Sequence, residues 1–174
     1  MKSLAYYIQE KLIIKKNSCN YSPKTKKELK EIINQRIKEE GNEVDLNDID
    51  VSNITDMSRL FNETNFNGDI SNWDVSNVTN MDSMFCCCKN FNQDISDWDV
   101  SNVTNMNSMF LNCKSFNKDI SKWDVSNVKN MSYMFAGCKA FNQDLSKWDV
   151  SNVKEHYFIF SVCGIQEKYK AKFK

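Results

Sequence analysis

Residues 71–95 read SNWDVSNVTNMDSMFCCCKNFNQDI, and residues 96–120 read SDWDVSNVTNMNSMFLNCKSFNKDI. Residues 121–145 repeat the pattern again as SKWDVSNVKNMSYMFAGCKAFNQDL. A worn copy spans 46–70, one residue short between Phe61 and Phe66, and another starts at Ser146 and decays. A fixed 25-residue period is the signature of stacked repeats, in which each unit buries its apolar face against its neighbours.

Apolar residues recur in columns through the copies. Trp73, Trp98, Trp123 and Trp148 form one, and Phe61, Phe85, Phe110, Phe135 and Phe160 another. Phe66, Phe91, Phe116 and Phe141, two Val columns, two Met columns and Cys88, Cys113, Cys138 and Cys163 complete the set. One such residue per copy reads as core, not as a ligand box. Within a copy, Met106, Met109 and Phe110 stand at i, i+3, i+4, which predicts a short helix. The segment 119–125, DISKWDV, predicts a short strand. The expected fold is therefore an α/β repeat solenoid of about five coils, with short parallel strands, short helices and a helical N-terminal cap.

That cap is expected at 1–42. A first helix is predicted over 3–15 from Leu4, Ile8 and Leu12. A second follows Pro23, with Thr25 and Glu28 as capping box, Leu29, Ile32, Ile33 and Ile37 as apolar stripe, and Gly41 as terminator. The repeat body spans 43–153. A degenerate last coil and basic C-terminal cap span 154–174, with Tyr169 and Phe173 available to dock back on the stack.

Over its 174 residues the chain balances 23 Lys and Arg against 23 Asp and Glu, but unevenly. Residues 1–42 carry ten Lys/Arg against five Glu, residues 43–153 eight against sixteen acids, and residues 154–174 five Lys against two Glu. An acidic body between basic ends does not make a nucleic-acid groove. There is no apolar run of the ~18 residues a membrane span needs. Gln9, Glu10 and Lys11 interrupt any signal-peptide core, so a cytoplasmic location is expected. Seven Cys, an odd number, fit a reducing compartment.

The words WDVSNVTNM, MF and FNQDIS at this period resemble the BspA-like surface-protein repeats, which also occur in mycoplasma lipoproteins. The similarity covers about 46–160. It implies a leucine-rich-repeat-like solenoid with a role in adhesion or protein binding, at the cell surface, and brings no catalytic residues.

The chemistry-bearing residues favour binding over catalysis. Residues repeated once per coil do not build a singular active site, the one His is His156, and only four Gly are present, without a phosphate-binding loop. Cys in parallel file lack the paired spacing of zinc sites and the geometry of disulfides, so they are expected as small buried thiols. Cys86 and Cys87 fall outside that column, and one of them is expected exposed and oxidisable. The Asp columns (Asp69, Asp94, Asp119, Asp144 and Asp50, Asp74, Asp99, Asp124, Asp149) read as Asx turns, with calcium between coils as the alternative. No cofactor or metal is expected. The positions that vary while the columns stay fixed are the candidate partner-binding residues: Gln93, Asp97, Lys118, Lys122, Gln143 and Lys147, and near the Met-Phe segment Asp82, Asn107, Ser132 and Tyr133. The expected function is a non-enzymatic scaffold that binds a protein partner through a repeated face; the alternative is a surface adhesin for host or matrix proteins.

Overall fold

The computed structural model describes residues 19–173, so the helix predicted over 3–15 lies outside the described residues. Its chain forms a stack of coils, but the coils are not built as expected. Among the described residues there is one α-helix, α1 (Lys26–Glu40), and one 3₁₀ turn (Glu167–Tyr169). No coil contains a helix or a strand. Neighbouring coils share single parallel bridges down the column Asp56, Asn80, Asn105, Asn130 and Glu155. The α/β solenoid with a strand and a helix per repeat, and with it the leucine-rich-repeat-like description, is overturned.

The Met-Phe segment shows why. Met109, Leu111 and Cys113 amides donate to the carbonyls three residues back, of Met106, Ser108 and Phe110. The first and last of these turns carry a left-handed residue at their third position, Ser108 at φ 53° and Asn112 at φ 59°. The alternate amides, of Met106, Ser108, Phe110 and Asn112, point along the stack instead. They donate to Asn130, Ser132, Met134 and Ala136 of the next coil. The same four-bond ladder recurs at the other junctions between coils, from 57, 59, 61 and 63, from 81, 83, 85 and 87, and from 131, 133, 135 and 137, at 2.7–3.0 Å. A helix of this length gains too few bonds to offset its nucleation cost, whereas turns let every second amide find a partner in the neighbour.

The Ile-Trp-Val segment is likewise two turns. Asp94 Oδ1 accepts the Ser96 amide at 3.0 Å and Asp99 Oδ1 the Ser101 amide at 3.0 Å. Trp98 N donates to Ile95 O and Val103 N to Val100 O. Asp two residues before Ser outcompetes a β-propensity that was always context-dependent.

Side chains tie the coils further. Trp73, Trp98, Trp123 and Trp148 donate their indole N–H to the carbonyls of Leu46, Ile70, Ile95 and Ile120. Asn77, Asn102, Asn127 and Asn152 amides donate to the Ser52, Ser76, Ser101 and Ser126 carbonyls. The Phe column stacks with ring centroids 5.4 Å apart from Phe61 to Phe85 and 5.6 Å from Phe85 to Phe110. Phe110, Phe135, Met109, Met134, Cys113 and Cys138 are all fully buried, as the column reading expects.

Both ends of the stack are covered in part. α1 buries Leu29 and Ile33 against the core, with Ile32 and Ile37 packed beside them. Thr25 Oγ1 caps the Glu28 amide at 3.2 Å, while the Glu28 carboxylate accepts from the Lys24 amide, one residue before the expected partner. Arg36 clamps Asp48 through Nη1 at 2.9 and 3.0 Å and fixes the descent from the helix into the first coil. Above that coil, the Lys30 ammonium donates to the Leu60 carbonyl and Lys26 to Ser58 Oγ and Asp56. At the other end Leu145 N donates to Tyr169 O, and Phe173 stacks on His156 at 4.7 Å.

Candidate functional site

The sequence candidates fall into three groups. Asp97, Lys122 and Lys147 occupy the same position of successive coils, between the Asx-turn Ser and the Trp. All three are exposed, and none makes a hydrogen bond or ion pair among the described residues. The invariant turns on either side fix where these variable side chains start. The column changes sign along the stack, from Asp97 to Lys122 and Lys147. Near Asp97 lies an open groove of about 440 Å³, lined also by Trp73, Asp74 and Asp99.

Gln93, Lys118 and Gln143 form the neighbouring column, and here two of the three side chains are tied to the preceding coil. Gln93 Nε2 donates to the Asn67 carbonyl at 2.7 Å, and Gln143 Nε2 to Asn117 O and Oδ1 at 3.0 and 2.8 Å. These glutamines hold coils together. Lys118 is half-buried. The first coil has Gly68 at this position because a Cβ there would meet the Val44 carbonyl at 2.0 Å.

Tyr133 sits apart from both columns, in the ladder segment. It is 41% exposed, left-handed at φ 59°, and stacks on Phe158 at 5.6 Å. Of its companions, Ser132 is buried, and Asn107 Nδ2 donates to Asp82 Oδ1 at 2.7 Å. The sequence reading missed Phe158 and Val162, which are the most exposed large apolar residues described, at 66% and 73%. Their departure from Ser108 and Asn112 in the same columns is the signal that could have found them.

Residues 27–123 and 95–165 match the family model described as Mycoplasma protein of unknown function, DUF285. The chain belongs to this family. The comparisons with curated proteins and with solved structures return no match. The family's matched region takes in most of α1, all the complete coils and most of the last, so the two candidate columns lie inside it.

The columns that suggested chemistry are engaged in structure. The Ser96 amide and hydroxyl hold Asp94 below the usual carboxylate range, and Ser121 does the same for Asp119. At Asp124 and Asp144 the Ser126 and Ser146 hydroxyls, then their amides, have the same effect. Each Asp thus caps its own turn. Among the described residues no group of three or more His, Cys, Asp or Glu could hold a metal ion. Cys113 and Cys138 donate their thiols to the Phe85 and Phe110 carbonyls at 2.9 and 2.8 Å. Burial pushes both well above the ordinary thiol range, which keeps them protonated. Cys86 and Cys87 are both half-buried, 3.7 Å apart at sulfur, and burial first, then its bond to Cys87, raises Cys86 to about 12. Neither is the open thiol expected there.

Proposed function

We propose that this chain is a non-enzymatic repeat scaffold that binds a protein partner through the side of the stack carrying Asp97, Lys122 and Lys147. One observation supports the reading above others. In a coil whose neighbouring positions are locked into ties along the stack, this position changes the sign of its charge, faces solvent and makes no hydrogen bond or ion pair among the described residues. A row of free charges on a rigid frame selects partners by complementarity and steers their approach. No reacting group is called for, since the nucleophiles and carboxylates of the repeat serve its turns and core. The surface-adhesin reading, carried by the resemblance to BspA-like repeats, uses the same mode of binding and differs in where the protein sits. Fractionation of native cells separates it from the cytoplasmic reading.

The test is capture of native partners on the immobilised protein, compared with an Asp97→Lys, Lys122→Glu, Lys147→Glu variant. A protein retained by the parent and lost from the variant, at unchanged melting temperature, supports this face. Identical capture by both contradicts it.

A further inference from the structure

The geometry points to a second docking surface: the C-terminal edge of the stack, formed by Phe158, Val162 and the free amides between them, receives an extended acidic polypeptide segment as a further rung. Every junction between coils is closed by four amides donating forward to four carbonyls. In the last coil the corresponding amides belong to His156, Phe158, Phe160 and Val162. Among the described residues none of the four has an acceptor. Open amides in register are a template for another chain.

The side chains on this edge point the same way. Tyr157, Phe158 and Val162 are 63%, 66% and 73% exposed, and Phe158 extends over Tyr133. Phe158 and Val162 are also left-handed, at φ 52° and 55°. That conformation is costly for a bulky residue and more so for a β-branched one; the inner coils place Ser83, Ser108 and Tyr133 in the first of these columns and Cys87, Asn112 and Gly137 in the second, and the last coil alone puts a β-branched residue there. Strained backbone carrying exposed apolar groups marks a place kept for a ligand rather than for stability.

The polarity of the edge selects its occupant. Its four ladder positions offer donors only, so two such rungs cannot pair face to face. The carbonyl face of a second copy is covered in part by α1, with Lys30 on the Leu60 carbonyl and Lys26 on the Ser58 hydroxyl and the Asp56 carboxylate. What fits is a separate segment that supplies carbonyls. Its side chains should be acidic, because a groove running from Lys114 and Lys139 to Val162 adjoins the edge and Lys154 flanks the coil.

The probe is a labelled, end-blocked peptide of residues 51–66, VSNITDMSRLFNETNF, which carries Asp56, Glu63 and the backbone carbonyls that a coil offers at such a junction. Titration into the full chain is followed by anisotropy and by amide exchange. The expected result is binding, with slowed exchange at 158, 160 and 162. Phe158→Asn with Val162→Asn should weaken it by about tenfold or more, as expected for loss of the apolar anchors. Asn accepts the left-handed backbone, so this variant folds. Reversing the peptide's charge with Asp56→Lys and Glu63→Lys should weaken it similarly, whereas Lys122→Glu with Lys147→Glu should leave it unchanged, which separates this edge from the lateral face. Absent binding, binding indifferent to the Asn pair, or end-to-end dimers in sedimentation would each overturn the proposal.

Discussion

Phe110 lies fully buried between Phe85 and Phe135, with centroids 5.6 and 5.7 Å away, and stacks on Phe116 within its own coil at 4.2 Å. Replacing it with Ala empties a site flanked by fixed rings on both sides. Urea unfolding should show a loss of about 3–5 kcal/mol, and a variant as stable as the parent would mean the coil interior is arranged otherwise. The Asp–Ser turns act together in a different way. Asp94, Asp119, Asp124 and Asp144 all have folded values below their ordinary one, so the folded state binds fewer protons than the unfolded state. Their contribution is complete above the ordinary carboxylate value and is lost as pH falls through the lowered values. Melting temperature should therefore drop progressively between about pH 4 and pH 2. A flat profile over that window would show that the turns hold without ionised Asp. Thiol titration gives a third check: Cys88, Cys113 and Cys138, fully buried and raised by burial, should react with an aromatic disulfide only as fast as the chain unfolds.

Among the elements, α1 is the one that a pattern of residues announced correctly. Thr25, Glu28, the stripe from Leu29 to Ile37 and Gly41 mark its start, face and end, and the structure places Leu29 and Ile33 in the core. The coils were legible as columns but not as elements. Met-x-x-Met-Phe spacing is shared by a helical face and by successive turns, because both bring every third or fourth side chain to one side. Only Asn112 and Gly137 mark the left-handed positions by type; Arg59, Glu63, Cys87 and Tyr133 take the same backbone without announcing it, so the sequence does not separate the turns from a helical face. Asp two before Ser, twice per coil, does mark turns in place of the supposed strand. The candidate lateral site was half legible. Asp97, Lys122 and Lys147, picked out by their variation, are exposed, while Gln93 and Gln143 reach across coils, and a contact made 26 residues away leaves no local trace. The role of α1 yields its own prediction. It covers the first coil and places Lys26 and Lys30 over its outward-facing groups. Residues 43–174 alone should aggregate or associate edge to edge on size-exclusion chromatography. A soluble monomer with unchanged melting would mean the segment is not a cap.

At the scale of the whole molecule, the stack is polar. The four ladder amides of each coil donate toward the C-terminus, while single amides such as those of Thr104, Lys129 and Lys154 donate back to the preceding coil, and the two ends of the ladder differ in kind: lysines of α1 at its carbonyl end, open amides at the other. The indole, Asn and thiol ties run the other way, each to a carbonyl of the preceding coil, and the frame leaves a lateral charged row and an apolar edge as separate surfaces. Everything in that account depends on the ladder running between coils and not within them. Hydrogen-bond scalar couplings between amide nitrogen and carbonyl carbon, measured by NMR on deuterated protein, read this directly. Couplings should join Met106 to Asn130, Ser108 to Ser132, Phe110 to Met134 and Asn112 to Ala136. Couplings from these amides to carbonyls four residues earlier in the same coil would restore a helix to each repeat and contradict the account.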